Sequence, residues 1–289
     1  MLISKSISAG HTDIGKVRAT NEDHYLVADL NKSMTVHSST LPIEDETEFY
    51  AGLRAQLLLV ADGMGGVPGG DIASQIGVGT AARYVLNTMP WFLSLEHDHE
   101  DDQQEELIAA LLESEEAVES EARIHPEFDG MGTTLTMAYI VWPRLFVVHI
   151  GDSRCYVLRS GQLSQLTSDQ TAAQALIDDG TMTPEQAARS PLGHILISSI
   201  GQGLSTFQPE VYKAKLEAGD RVLVCSDGLT SELADEEIAE ILAADESAEV
   251  VSRALVDAAN AAGGSDNITA VVSICHPPIN RPDRVSTRS

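Results

Sequence analysis

The chain has 289 residues, 43% of them hydrophobic, so it can bury a sizeable core as one large domain or as two smaller ones. Its formal net charge of −26 argues against nucleic acid or an anionic membrane as a partner, because both require a basic surface. The three cysteines lie singly in apolar runs, which is typical of buried side chains in a reducing compartment. No secretory signal and no apolar run of about 20 residues is visible, so a cytoplasmic protein is expected.

The N-terminal half predicts short strands followed by two helices. Apolar or β-branched runs bounded by turn formers are typical of strands. Such runs occur at residues 2–8, 24–29 and 57–61. Apolar residues at helical spacing predict helices over residues 71–87 and 104–123. Residues 31–55 have weak periodicity, which predicts an exposed loop or hairpin extension, or else a docking surface for a partner or substrate.

The C-terminal half predicts a dense group of strands and then further helices. Strands are predicted at residues 133–141, 144–150, 155–160, 162–166, 221–226 and 267–275. Helices are predicted at residues 171–190, with a second piece that starts at Pro184-Glu185, and at residues 235–243 and 247–262. Because strands outnumber helices and do not alternate with them one for one, the pattern favours an α+β fold. We expect mainly antiparallel sheets covered by helices rather than a doubly wound parallel sheet.

The chain is interpreted as one domain with a short tail. No linker rich in proline, glycine or serine divides it, so residues 1–276 are expected to fold as a single unit. Residues 277–289 are polar and broken by proline, which predicts a disordered tail.

Acidic residues adjoin apolar runs at four well-separated places. They are Glu22-Asp23, Asp62, Asp227 and Asp266. An ionised carboxylate near a core must be paired or bound to a metal, and few lysines or arginines lie close to these acids in sequence. Oxygen ligands suit hard cations such as Mg²⁺ or Mn²⁺. Each acid alone could equally be a turn carboxylate that bonds nearby backbone amides. If the acids converge, they predict a two-metal enzyme.

The acids belong to an ordered series of motifs. The series is Arg18-Ala-Thr-Asn-Glu22-Asp23, Val60-Ala-Asp62-Gly63-Met64-Gly65-Gly66, Gly130-Met-Gly132-Thr133-Thr134, Gly151-Asp152-Ser153-Arg154, Leu166-Thr-Ser-Asp169, Cys225-Ser-Asp227-Gly228 and Ser265-Asp266-Asn267. Over about residues 6 to 275 it resembles the metal-dependent serine/threonine protein phosphatases of the protein phosphatase 2C family, in their bacterial form. The resemblance implies a four-layer α/β/β/α sandwich, in which two antiparallel sheets face each other and helices cover the outside.

The resemblance also implies roles for individual residues. Two Mn²⁺ or Mg²⁺ ions would be held by Glu22, Asp62, the Gly63 carbonyl, Asp227 and Asp266, with Asp62 bridging the pair. Asp129, together with Asp227, would bind a third, weaker divalent metal. Asp23 would hold a metal-bound water, and Arg18 would bind the substrate phosphate. The implied reaction is hydrolysis of phosphoserine and phosphothreonine by direct attack of a metal-bridging hydroxide.

Met64, Gln170 and residues 190–200 depart from the family pattern, and Asp152 receives a structural interpretation. Met64 stands where animal members often have a histidine, so the general acid is unassigned. Gln170 stands where histidine or aspartate often follows the Leu-Thr-x-Asp motif, at the start of a flap over residues 170–200. Residues 190–200 lack the arginines that the family often carries there. Asp152 is interpreted as a turn residue between strands.

The implied substrates are phosphorylated serine/threonine proteins, and the implied counterpart is a cytoplasmic serine/threonine kinase. Two other functions stay open. One is a pseudophosphatase that binds phosphoproteins with little hydrolysis, although the ligand positions are intact in this chain. The other is an enzyme of the same fold that acts on small phosphoesters.

Overall fold

The computed structural model describes residues 2–3, 6–35, 40, 48–64, 69–88, 100–187, 190–201, 206–276 and 279–280. The strands are β1 Leu2–Ile3, β2 Ser6–Asp13, β3 Asp23–Thr35, β4 Glu48–Met64, β5 Gly132–Thr133, β6 Leu135–Val141, β7 Arg144–Ile150, β8 Arg154–Arg159, β9 Gln162–Gln165, β10 Glu210–Lys215, β11 Arg221–Cys225, β12 Ile268–Cys275 and β13 Ile279–Asn280. The helices are α1 Gly70–Thr88, α2 Glu100–Ile124, α3 Ala172–Asp178, α4 Pro184–Ala187, α5 Asp227–Thr230, α6 Asp235–Leu242 and α7 Ala248–Ala262. Single 3₁₀ turns cover Pro126–Phe128 and Pro191–His194.

The strands form two large antiparallel sheets. Sheet I has the order β10-β7-β6-β4-β3, and β5 pairs with the end of β4. Sheet II has the order β2-β12-β11-β8-β9. Neighbouring strands within both sheets run antiparallel. The sequence-based prediction of an α+β fold with mainly antiparallel sheets is confirmed.

The apolar run in β4 shows why the sheets are stacked. Leu57 and Leu59 belong to the core beneath α1 and α2, whereas Leu58 and Val60 belong to the core between the two sheets. Successive strand residues point to opposite faces, so an unbroken apolar run indicates a strand that is covered on both sides. All four side chains are buried.

Helices complete the outer layers. On the outside of sheet II, α7 buries residues at helical spacing, including Val251, Leu255 and Ala259. Its first turn is capped by the Ser247 hydroxyl, which accepts a hydrogen bond from the Val250 amide. The layer order is therefore helices, sheet I, sheet II, helices, as the four-layer prediction states.

Several local predictions differ from the structure. Residues Ile279–Asn280, assigned to a disordered tail, pair as β13 with β1, because two short extended segments satisfy each other's backbone groups. The rest of residues 277–289 lies outside the described residues. Strand β10 was not predicted, because it is a partly exposed edge strand with polar residues. By contrast, the segment over 171–190 forms two helical pieces, α3 and α4, and α4 begins at Pro184 as the sequence predicts.

Residues 31–55 contribute the ends of two long strands where they are described. The register pairs Ser33 with Tyr50 and Asn31 with Arg54, with an irregularity between Asn31 and Ser33. The backbone of this segment is therefore the two arms of a hairpin that extends sheet I. In the part of the chain that the structure covers, every helix is too short or too polar to cross a membrane.

Candidate active site

Most of the predicted site residues line one cavity of about 960 Å³. Its acidic lining residues are Glu22, Asp62, Asp71, Asp152, Asp227 and Asp266. Two basic side chains, Arg18 and His194, also line it, together with Gly63 and Asn267. Acids that are far apart in the chain therefore meet in one place, as the sequence predicts.

Asp62 is held by its backbone at the end of sheet I. Its amide donates to the Thr134 hydroxyl (3.0 Å), and its carbonyl accepts from the Thr134 amide and the Thr133 hydroxyl, each at 2.9 Å. An Asp-Gly pair after an apolar run is typical of a turn, but β4 continues through Asp62-Gly63 to Met64, because β5 pairs with Gly63 and Met64. The Gly-Met-Gly-Thr-Thr motif thus fixes the position of Asp62.

Gly63 allows a close approach that a side chain would block. A Cβ atom at this position would lie 2.0 Å from the carbonyl oxygen of Gly70, at the start of α1. The Gly63 amide also donates to the Glu22 carbonyl over 3.1 Å. Glycine therefore brings Glu22 and the first turn of α1 beside Asp62.

Asp227 comes from the opposite sheet. It is the first residue of α5, two residues after β11 ends at Cys225. The apolar runs before Asp62 and Asp227 suggest two adjacent central strands, but this interpretation is wrong, because β4 lies in sheet I and β11 in sheet II. The two carboxylates meet because both strands end at the same edge of the sandwich. A Cβ atom on Gly228 would lie 2.1 Å from the Asn267 carbonyl, so glycine is needed here too.

Asn267 joins the loop that carries Arg18 and Glu22 to sheet II. Its side-chain oxygen accepts from the Glu22 amide (2.8 Å). Its side-chain nitrogen donates to the carbonyls of Ile14 (3.0 Å) and Thr20 (2.9 Å). One amide side chain therefore anchors a loop of polar backbone next to Asp266. Arg18, in the same loop, forms an ion pair with Asp266 at 2.6 Å.

Asp23 lies beneath the cavity and does not line it. It pairs with Asp62 in the β3–β4 register, and its Oδ2 accepts from the hydroxyls of Ser226 and Thr269, each at 2.7 Å. Burial raises the pKa of Asp23 to about 7, although the two hydroxyl donors oppose that shift. Its Oδ1 is buried without a hydrogen-bond partner.

The carboxylates disfavour each other's charge. The pKa of Asp62 is raised well above its ordinary value by burial and by the charges of Asp23 and Asp227. The pKa of Asp227 is raised by burial and by Asp266. The side chains of Asp62 and Asp227 approach each other within hydrogen-bonding reach. A bound cation would stabilise the ionised form of each acid.

The residues present fit a hard divalent cation. The donors are oxygens, and the Oδ1 atoms of Asp23 and Asp227 are buried without a hydrogen-bond partner. Among the residues that the structure covers, no three His, Cys, Asp or Glu side chains form a ready-made ligand cluster. Mg²⁺ does not require one, because it typically uses one or two carboxylates and retains several waters.

Two further acids, Asp129 and Asp152, lie on different sides of the cavity boundary. Asp129 is exposed at the end of the 3₁₀ turn and is not among the lining residues, so its role at a third metal stays a prediction. Asp152 lies between β7 and β8, as its interpretation as a turn residue states, and it is also buried and lines the cavity. Its pKa is raised by burial and by Asp227. The same signal that marked Asp62 was present at Asp152, because it also follows an apolar strand, β7.

Comparison with known sequences gives one family. The sequence profile described as protein phosphatase 2C matches residues 36–267. The serine/threonine protein phosphatase PstP of Mycobacterium tuberculosis is 36% identical over 266 residues, which is 92% of this chain and 44% of PstP. The chain thus spans less than half the length of that relative. The protein phosphatase PhpP of Streptococcus pneumoniae is 33% identical over 264 residues, covering 91% of this chain and 95% of PhpP.

Solved structures agree with that result. The crystal structure of the Mycobacterium tuberculosis phosphatase PstP matches with a TM-score of 0.74 and 32% identity, over 94% of this chain and 99% of that one. The catalytic domain of PstP in complex with two manganese ions matches with a TM-score of 0.71 and 32% identity, over 94% and 98% of the two chains. This chain belongs to the protein phosphatase 2C family.

Proposed function

We propose that this chain is a metal-dependent phosphatase that removes phosphate from phosphoserine and phosphothreonine in proteins. The observation that carries the proposal is the meeting of acids from both sheets, Asp62 from one and Asp227 from the other, in a cavity with Arg18 at its edge. Relatives named serine/threonine phosphatases support it, and one of them, PstP, has been solved with two manganese ions. The expected counterpart is the cytoplasmic kinase that makes the phosphoprotein.

Two Mn²⁺ or Mg²⁺ ions are the proposed cofactors. Their ligands would be Glu22, Asp62, the Gly63 carbonyl, Asp227 and Asp266. Asp129 with Asp227 is the proposed holder of a third, weaker ion. The chemistry that such cations supply is a coordinated water of lowered pKa, available as hydroxide at neutral pH. Asp23, buried below Asp62 with a free Oδ1, is suited to accept a hydrogen bond from that water.

Arg18 is the proposed phosphate-binding residue. Its guanidinium can offer two parallel donors to phosphate oxygens, which a lysine does not match. The side chain is 54% exposed at the edge of the cavity, where an incoming phosphoryl group would meet it.

Among the described residues, the cavity is lined by no cysteine or serine that could act as a covalent nucleophile. Cys225 is the thiol closest in sequence to a proposed metal ligand, and burial raises its pKa to about 12. A thiol with that pKa stays protonated at neutral pH and is a poor nucleophile. This supports direct attack by water on phosphorus.

A hydrolysis assay tests the proposal. Purified protein is given a phosphothreonine peptide or para-nitrophenyl phosphate with Mn²⁺, Mg²⁺ or a chelator. We expect hydrolysis of both substrates with either metal and none with the chelator. Activity that persists with the chelator would refute the metal-dependent mechanism. Peptide binding without turnover would favour the pseudophosphatase, and turnover of small phosphoesters alone would favour the small-molecule enzyme.

A further inference from the structure

The flap begins at Gln170, and every backbone and side-chain polar group of this residue forms a hydrogen bond. Gln170 is buried, and its side-chain oxygen accepts from the Gly151 amide (3.0 Å). Its own amide donates to the Gly151 carbonyl (2.7 Å). Gln170 therefore holds the loop that presents Asp152 to the cavity.

The other groups of Gln170 hold the far side of the flap. Its side-chain nitrogen donates to the Gln208 carbonyl (2.9 Å), and the Gln208 amide donates to the Ser198 hydroxyl (3.1 Å). The Gln170 carbonyl accepts from the Ile197 amide (2.9 Å). The side chain of Gln170 thus joins the Asp152 loop to the segment that leads to β10. It reaches the returning flap segment through Gln208 and Ser198, and the Gln170 backbone adds the bond to Ile197.

The returning segment forms one wall of the cavity. His194 and Leu196 line it. Backbone hydrogen bonds hold this wall next to Gln170. The Ala172 amide donates to the Ile195 carbonyl (2.8 Å), and Thr171 forms an antiparallel β-bridge with Leu196. The place of this wall therefore depends on residues 170–172.

Only a neutral amide makes this set of bonds. The side chain of Gln170 must accept from Gly151 and donate to Gln208 at the same time. A glutamate would keep the first bond but would set a carboxylate oxygen against the Gln208 carbonyl, with no donor between them. A buried acceptor without a donor is costly.

We propose that Gln170 is a positioning residue that sets the flap wall, His194 to Leu196, relative to the metal-binding carboxylates. Through that wall it determines how tightly a phosphorylated polypeptide is held, while a small phosphoester, which needs only Arg18 and the carboxylates, is bound independently of it. The inference rests on the proposed phosphatase activity. The competing interpretation is that Gln170 is a satisfied buried glutamine that contributes to stability alone.

Kinetics on two substrates separate these interpretations. Gln170→Ala, Gln170→Glu and Ser198→Ala are compared with wild type on a phosphothreonine peptide and on para-nitrophenyl phosphate, with saturating Mn²⁺. We expect the peptide KM to rise about tenfold in each variant, as for the loss of one buried hydrogen bond, with the KM for the small substrate within about twofold of wild type. In the double variant Gln170→Ala/Ser198→Ala the effects should be far less than multiplicative, because both changes break one network.

The matched control is Gln174→Ala, in the same flap. Its side chain donates only to the exposed Asp178. This variant should keep both KM values. Equal losses on both substrates in Gln170→Ala, or an unchanged peptide KM, would overturn the proposal.

Hydrogen exchange gives a readout that does not depend on activity. The Gly151 amide loses its acceptor in Gln170→Ala and should exchange faster under either interpretation. The Ile197 amide keeps its acceptor, the backbone carbonyl of residue 170, so its faster exchange in Gln170→Ala reports release of the flap wall. Both amides should exchange at the wild-type rate in Gln174→Ala. Unchanged exchange of the Ile197 amide in Gln170→Ala would overturn the positioning role even in an active enzyme. A wild-type chain that hydrolyses neither substrate would instead remove the proposed function, and this inference with it.

Discussion

Arg18 and Asp266 form an ion pair at 2.6 Å, although the proposed function assigns them to different partners, the phosphate and a metal ion. The side chains are 54% and 28% exposed. An ion pair this accessible to water contributes little to stability, on the order of 0–1 kcal/mol. Breaking this ion pair therefore costs little free energy, so Arg18 can bind a phosphate and Asp266 can bind a metal ion instead.

The first prediction concerns the phosphate contact. Arg18→Ala should raise KM by about tenfold or more and lower kcat less, because charge-assisted bonds to phosphate are lost at the binding step. The KM of Arg18→Lys should lie between those of wild type and Arg18→Ala, since an ammonium group cannot offer the two parallel donors of a planar guanidinium. Steady-state kinetics on para-nitrophenyl phosphate provide the measurement, with Lys16→Ala as the control from the same loop. If kcat falls by a larger factor than KM rises, Arg18 stabilises the transition state rather than the bound substrate.

The second prediction concerns the carboxylates. Asp62→Asn and Asp227→Asn should each lower kcat at least about 100-fold, because each removes a charged metal ligand. Asp257→Asn, on the exposed face of α7, is the control and should keep wild-type turnover. Mn²⁺ should raise the thermal midpoint of wild type and do so much less in the two site variants. Near-normal turnover in either one would refute the assignment of these ligands.

Most of the acids that line the cavity could be picked out from the sequence because their signal is local. Asp62 and Asp227 each follow an apolar run, which the neighbouring residues alone reveal. The unbroken apolar run in β4 likewise predicts that this strand is buried on both faces. Asp152 also follows an apolar strand, β7, although a turn at Gly151-Asp152 explains its position equally simply.

What the sequence could not provide is long-range pairing. Asp62 and Asp227 lie in different sheets, and nothing near either residue says which strands are neighbours. The contacts of Gln170 have the same character, since Gly151 and Gln208 are distant in the chain. The pairing of β13 with β1 joins the two ends of the described chain, which no local pattern encodes.

The third prediction separates a glycine required by packing from one that is not. Gly63→Ala should destabilise the fold by about 2–4 kcal/mol, because its Cβ would meet the Gly70 carbonyl at 2.0 Å and backbone must move. Gly79→Ala is the matched comparison, because a Cβ on this α1 residue meets nothing within 4 Å. Alanine there should stabilise the helix by about 0.5–1 kcal/mol. Urea denaturation measures both, and equal effects of the two changes would contradict the packing argument.

The last prediction follows from a histidine buried outside the site. His149 is fully buried, with Nε2 at 3.1 Å from the Ser168 carbonyl and Nδ1 at 2.8 Å from the Thr136 hydroxyl. Burial lowers its pKa to about 4. The carbonyl can only accept, so the neutral ring carries its proton on Nε2 and accepts from Thr136 at Nδ1.

The sign of the pH effect follows from that lowered pKa. Above pH 6.5 the ring is neutral in both the folded and the unfolded chain, so it adds no pH dependence. As the pH falls from 6.5 towards 4, the unfolded chain takes up the proton first, and the folded state loses up to about 3 kcal/mol from this group. The raised pKa values of the site carboxylates act in the opposite direction, so the comparison must be with a variant at position 149.

In His149→Gln the amide can still donate to Ser168 but does not titrate. Urea unfolding from pH 4.5 to 7 should show wild type losing stability faster than His149→Gln on the acid side. Parallel curves would mean that His149 is not a buried neutral ring.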